Sequence, residues 1–171
     1  MNHSLQYSIN DINTMDHRTF VKVFSSVFED TPWIAERTWD QSPFNSVESL
    51  INLMCQVVID ADYERQMTLL RAHPELGASE KMTALSEAEQ AGAGIRAKTD
   101  DGRASLAKLN KEYREKFGFP FIVAIKGMNL SQIIENLTGR LHNDKDTEFR
   151  EGLDQVLKIA QFRVHDLFIT E

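Results

Sequence analysis

The sequence lacks the features on which several protein classes depend. Its single cysteine, Cys55, excludes an intrachain disulfide and a cysteine-based zinc site, which argues against a disulfide-built secreted domain. No run approaches the roughly 18 apolar residues of a transmembrane helix. The first residues show no basic region followed by an apolar core, so no signal peptide is expected. The last residues, 168–171, do not form a peroxisomal address.

Positive charge is also scarce. The chain has 19 Lys and Arg against 26 Asp and Glu, a net charge of −7 and a pI near 5.3. Nucleic-acid and anionic-membrane partners, which need a basic face, are therefore disfavoured. The cysteine usage is compatible with a reducing cytoplasm, where we expect the protein to be. A length of 171 residues fits one domain over 1–171.

Apolar residues recur at spacings of three and four along most of the chain, which predicts about eight helices around one core. Residues 1–10 are polar and predicted to be loose. Helix starts are predicted at five polar positions: Asn13 or Thr14, Thr31 before Pro32, Ser46, Asp62 and Ser131.

One run, 119–125, resembles a strand, but it contains Pro120 and has no partner strand elsewhere. A lone strand cannot satisfy its backbone groups within a sheet. We therefore interpret 119–125 as a buried extended segment whose free amides and carbonyls face a ligand. The predicted fold class is all-α, a single-domain helical bundle with this one extended segment.

His73 stands where an apolar helix meets Pro74. Proline disfavours α geometry in the residue before it, so the imidazole is expected to project from the helix end. A helix C-terminus favours the imidazolium form, and histidine exchanges a proton near neutral pH without a cofactor. His73 is therefore a candidate acid or base. The alternative is a histidine that only caps helix carbonyls.

One further group of residues and one arginine could also carry chemistry. Ser86 and Glu89 match a capping box at a helix start, and Glu89 with Gln90 offers a carboxylate and an amide suited to a ligand with urea or amide groups. Arg163 falls on the apolar stripe of the last helix, where a guanidinium needs an anion or carbonyls. That anion could be a ligand or an internal Asp or Glu, or the side chain could snorkel to the surface.

Metal binding is not predicted. His142 and Asp144 lie close together, but no second histidine follows at helical spacing. Neither a Ser-His-Asp signature nor a phosphate-binding glycine loop is present.

An ordered set of short motifs resembles one known family. Each motif alone is weakly specific, but their order is highly specific and spans nearly the whole chain, from about Asn10 to Phe168. The motifs are Ala72-His73-Pro74-Glu75-Leu76-Gly77, Ser86-x-x-Glu89-Gln90, Phe117-Gly118-Phe119-Pro120-Phe121-Ile122, Arg140-Leu141-x-Asn143-Asp144 with Glu148, and Ile159-Ala160-x-x-Arg163-Val164. The family is that of OHCU decarboxylase, where OHCU is 2-oxo-4-hydroxy-4-carboxy-5-ureidoimidazoline.

The resemblance implies an all-α fold, usually as a homodimer, that acts on a small-molecule substrate, OHCU. It implies the last of three steps from urate to (S)-allantoin, after urate oxidase and hydroxyisourate hydrolase, with no metal or organic cofactor. The missing peroxisomal address fits a bacterial, cytoplasmic member.

The resemblance also assigns residues by matching positions. Three are implied to be catalytic: His73, Glu89 and Arg163. The loop 74–86 is short for the family, which could alter the rim of the pocket. Ten positions are implied to contact the substrate: Pro74, Ser86, Glu87, Ala88, Gln90, Phe121, Ile122, Val123, Ala124 and Ile125.

Two other functions remain open on the sequence. One is a helical ligand-binding or interaction module that kept the pocket but lost the reaction. The other is a metal-dependent helical hydrolase, which a chelator would inactivate.

Overall fold

A computed structural model describes residues 6–77, 84–93 and 100–169. Within these ranges the chain forms nine α-helices and one short 3₁₀ helix, Ser25–Phe28. The all-α prediction is therefore confirmed, with one helix more than the approximate number expected. The α-helices are α1 Ile9–Thr14, α2 His17–Phe24, α3 Pro32–Trp39, α4 Val47–Ile59, α5 Tyr63–Ala72, α6 Ala84–Gly92, α7 Asp100–Phe117, α8 Leu130–Arg140 and α9 Lys145–Asp166.

The helices fall into two compact units. The first unit takes the described residues of 1–66 and 157–171. Its core is built on Phe20, whose ring centroid lies 4.6 Å from that of Phe24, 5.2 Å from that of Trp39 and 5.5 Å from that of Phe44. Tyr7 pairs through its backbone with residues 167–169, so this part of the segment predicted to be loose is held in place.

The second unit comprises residues 67–156. Its aromatic core is centred on Tyr113, which lies fully buried on α7. The Tyr113 ring centroid is 4.5 Å from that of Phe117, 5.9 Å from that of Phe119 and 5.4 Å from that of Phe121. Because Phe119 and Phe121 belong to the predicted extended segment, the core anchors that segment.

The run 119–125 is buried, as predicted, and it forms neither helix nor strand. Gly118 separates it from α7 with φ = +81°, a left-handed conformation that glycine adopts at low cost. The Gly118 amide donates to Arg114 O at 2.9 Å, so this glycine ends α7.

Three of the predicted helix starts are confirmed. The Ser46 hydroxyl accepts a hydrogen bond from Ser49 N at 3.1 Å, and Asp62 Oδ1 accepts one from Arg65 N at 2.9 Å. Pro32 occupies the first position of α3, as predicted, although the Thr31 side chain makes no capping bond.

Two predicted caps are wrong. Asp16, not Asn13 or Thr14, caps α2, because the Asn13 amide is used to bond both backbone groups of Phe44, each at 2.8 Å. Asn129, not Ser131, caps α8, since Asn129 Oδ1 accepts from Gln132 N. Gln132 Oε1 accepts from the backbone N of Asn129 in turn, which completes a capping box.

Acid should destabilise the protein through three aspartates at helix starts. Hydrogen bonds from Ser8, Thr19 and Thr147 lower the pKa of Asp11, Asp16 and Asp144 below the usual 3.8. A lowered folded-state pKa contributes stability above the unfolded pKa, and this is lost as pH falls through the folded value. We therefore expect the free energy of unfolding, measured in urea, to drop below about pH 4.

The matched control for this prediction is Asp16→Ser, which keeps a capping oxygen but does not titrate. It should reduce the pH slope of the unfolding free energy. An unchanged slope would show that Asp16 does not contribute to acid sensitivity.

Within the described ranges, no helix is long and apolar enough to cross a membrane.

Candidate active site

His73 follows the last residue of α5 and precedes Pro74. The residue is buried, with 6% exposure, and Nδ1 lies 2.9 Å from Leu69 O. A carbonyl can only accept, so this contact places a proton on Nδ1. In the neutral ring the basic nitrogen is then Nε2, which is also buried. The capping alternative and the acid–base prediction are thus compatible, since capping fixes the tautomer that the chemistry would use.

The segment after His73 is fixed by two side chains. Gly77, with φ = +77°, donates its amide to Gln90 Oε1 at 3.0 Å, and Asn110 Nδ2 donates to Leu76 O at 2.8 Å. The structure therefore brings Gln90, on α6, against the turn that follows His73-Pro74. The same turn, together with Arg103 and Asn110, lines a cavity of about 80 Å³.

Asn110 was missed on the sequence. It is 1% exposed, and its Oδ1 is buried with no hydrogen-bond partner in the described part of the chain. A signal was present, because Asn110 lies four residues after Leu106 and three before Tyr113, on the buried stripe of α7. A polar residue on an apolar stripe is the pattern that singled out Arg163.

Helix α6 carries the predicted group at 86–90. It begins at Ala84, so Ser86 lies inside the first turn and the capping-box interpretation is wrong. Ser86 and Gln90 are buried and Glu89 is half-buried, whereas Glu87 and Ala88 are exposed. Positions i, i+3 and i+4 share one helix face, so Ser86, Glu89 and Gln90 point inward together. The start of α6 follows residues 78–83, which lie outside the described ranges.

The segment 121–125 leaves most of its backbone polar groups unbonded. Ile122 O accepts from Arg140 Nη1 at 2.6 Å, Ala124 N donates to Gln155 Oε1 at 2.9 Å, and Ile125 O accepts from Met128 N at 2.9 Å. The other amides and carbonyls of 121–125 make no hydrogen bond to residues that the structure describes. Buried backbone groups are nearly always paired, so these groups are candidates for ligand contacts.

Arg163 belongs to the first unit, whereas the other predicted site residues belong to the second. Its guanidinium is buried, and Nη2 lies 2.8 Å from Glu29 Oε1 while Nη1 donates to Val27 O at 3.1 Å. Glu29 adopts a left-handed conformation with φ = +51°, which is uncommon outside glycine. Glu29 is therefore the internal acidic partner that was one of the alternatives for Arg163. A contact between Arg163 and substrate stays a prediction.

A metal site finds no support among the described residues. None of their His, Cys, Asp and Glu side chains form a group of three or more that could hold an ion. Asp144, considered above with His142, instead caps α9 by accepting from Thr147 N at 2.8 Å.

Comparison with known proteins adds a family and several relatives. A family described as OHCU decarboxylase matches residues 13–165. A 2-oxo-4-hydroxy-4-carboxy-5-ureidoimidazoline decarboxylase from Haloferax volcanii is 40% identical over 97% of this chain and 99% of its own length. A uric acid degradation bifunctional protein from Bacillus sp. is 37% identical over 94% of this chain. The matched region covers 32% of the length of that protein.

Two solved structures share the fold. A crystal structure of (S)-allantoin synthase superposes with a TM-score of 0.78 at 23% identity, covering 95% of this chain and 54% of the other. A crystal structure of OHCU decarboxylase in the presence of (S)-allantoin gives a TM-score of 0.73 at 19% identity, covering 90% of this chain and 99% of the other.

Proposed function

Because this chain belongs to the OHCU decarboxylase family, we propose that it converts OHCU to (S)-allantoin and CO₂ without a cofactor, as the last step of urate oxidation. The match to a decarboxylase along the full length of that relative supports the reaction. The structural observation that carries the proposal is the buried His73, whose Nδ1 is fixed by the Leu69 carbonyl. This arrangement leaves Nε2 as the nitrogen that can exchange a proton with a substrate.

The reaction breaks the bond between the ring carbon and its carboxylate. CO₂ leaves, and the electron pair that remains on the ring carbon is taken up by the adjacent C=N. The imine nitrogen is protonated, and the carbon that lost CO₂ becomes a carbonyl as its hydroxyl gives up a proton. A proton must then be added to one face of the neighbouring carbon, which bears the ureido group, to give one enantiomer. The imidazolium form of His73, which carries a proton on both ring nitrogens, supplies it from Nε2 and returns to the neutral ring with its proton on Nδ1. Positioned proton transfer of this kind contributes roughly 10²–10⁴-fold.

The inward face of α6 would orient the substrate. Gln90 Oε1 is engaged by Gly77 N, so Gln90 offers its Nε2 donor to a substrate carbonyl. Glu89 accepts from ureido or ring N–H groups, and Ser86 contributes its hydroxyl. The unbonded amides and carbonyls of 121–125 complement a ureido group, which has donors and acceptors side by side.

We propose a homodimer in the cytoplasm of a bacterium, acting after urate oxidase and hydroxyisourate hydrolase. The Bacillus relative named for uric acid degradation supports this place in the reaction sequence. Light scattering on a sizing column tests the dimer against the 19.6 kDa of one chain.

The reaction can be tested with substrate made in place from urate by urate oxidase and hydroxyisourate hydrolase. Adding this protein should speed the loss of OHCU absorbance and the release of CO₂ in proportion to protein concentration, and EDTA should leave the rate unchanged. A binding module would leave the slow spontaneous decay, and loss of activity with chelator would identify a metal-dependent enzyme instead.

A further inference from the structure

We propose that Arg140 and Gln155 are positioning residues that clamp the segment 121–125 from outside the reaction centre, so that Val123 presents its backbone to the substrate. The proposal rests on the proposed function for the identity of the ligand. Neither residue was singled out on the sequence as part of the site.

Arg140 holds the segment at its second residue. The side chain of Arg140 is 9% exposed, and its guanidinium donates from Nη1 to Ile122 O at 2.6 Å. Its central carbon also lies 4.7 Å from the ring centroid of Phe121, within range of a cation–π contact. One side chain therefore fixes both the carbonyl of Ile122 and the ring of its neighbour.

A buried carboxylate fixes Arg140 in turn. Glu148 is fully buried. Arg140 Nε lies 3.2 Å from Glu148 Oε1 and 3.0 Å from Oε2, and Arg140 Nη2 lies 2.9 Å from Oε2. Asn143 Nδ2 donates to Glu148 Oε1 at 2.8 Å, and the Tyr113 hydroxyl donates to Oε2. Burial, and then the bond to Glu148, raise the pKa of Tyr113, so the phenol stays protonated as a donor.

Stability alone does not require such a network. Desolvating two charges is costly, and apolar pairs of similar volume often stabilise a core equally well. An apolar pair could not donate to Ile122 O, however. The network therefore directs an Arg140 donor at the carbonyl of Ile122.

Gln155 holds the segment two residues further on. Its Oε1 accepts from Ala124 N at 2.9 Å, and its Nε2 donates to Glu151 Oε1 at 2.7 Å, which sets the amide orientation. The two clamps lie on either side of Val123. The Val123 amide and carbonyl make no hydrogen bond to described residues, and the residue is 7% exposed. The clamp thus leaves the middle peptide groups to a ligand.

The test measures two variants against wild type. One is Gln155→Met, and the other is the double variant that combines Arg140→Met and Glu148→Met. Each should raise KM for OHCU about tenfold while changing kcat less than about threefold, because a positioned binding surface is lost rather than a reacting group. The control is Asn13→Ala, which loses two bonds to Phe44 and should lower Tm without moving KM.

Amide hydrogen exchange over 119–126 provides a readout that does not depend on activity. Exchange there should accelerate about tenfold in Gln155→Met and stay unchanged in Asn13→Ala. Unchanged exchange and unchanged KM in Gln155→Met would overturn the clamp, even if the double variant fails to fold. If wild type does not act on OHCU, the proposed function fails, whereas the exchange result still decides the clamp.

Discussion

Replacing His73 with asparagine should slow the decarboxylation of OHCU about 10²–10⁴-fold. The amide nitrogen of asparagine can take the place of Nδ1 and keep the bond to Leu69 O, which is 2.9 Å long in the structure. It has no group that can act as Nε2 does, so the proton donor is lost while the end of α5 stays capped. Single-turnover kinetics with freshly made OHCU measures the effect.

His142→Asn is the matched control, since the same exchange is made at an exposed histidine in the same unit. This control should keep the wild-type rate, and both variants should keep the wild-type Tm within a few degrees. A near-wild-type rate of (S)-allantoin formation in His73→Asn would remove His73 from the mechanism.

Replacing Arg163 with methionine should destabilise the protein by about 3–5 kcal/mol. The change leaves the Glu29 side chain, which is 3% exposed, without its cationic partner, and it also removes the donor to Val27 O. Changing Glu29→Met as well removes the uncompensated charge and should recover most of the loss. Urea unfolding of the single and double variants measures both effects.

Kinetics on the double variant then separates the two roles considered for Arg163. If the guanidinium also binds substrate, as the resemblance implies, activity should stay at least about tenfold low although stability has returned. Wild-type activity in the double variant would mean that Arg163 serves only the ion pair with Glu29.

The helical architecture was predictable because apolar spacing is a local property of the chain. Ser46 and Asp62 cap the helices that follow them, as expected from side chains that bond the first turn. The failures occur where several polar residues compete. Asn13 could cap a helix, but its amide bonds Phe44, 31 residues away, and no local rule anticipates that contact.

The candidate site was predictable where one residue breaks a pattern. His73 before proline and Arg163 on an apolar stripe were both found in this way, although the anion that Arg163 meets could not be identified. Asn110 gave the same signal and was missed. The clamp on 121–125 was not predictable, because Arg140 and Ile122 are joined only by tertiary packing.

The most direct test of the central claim is circular dichroism of the allantoin formed from fresh urate, urate oxidase and hydroxyisourate hydrolase with this protein added. An enzyme that protonates one face should produce the dichroic signal of (S)-allantoin at a rate proportional to its concentration. Slow appearance of product without optical activity, at the rate seen with no protein added, would contradict the assignment.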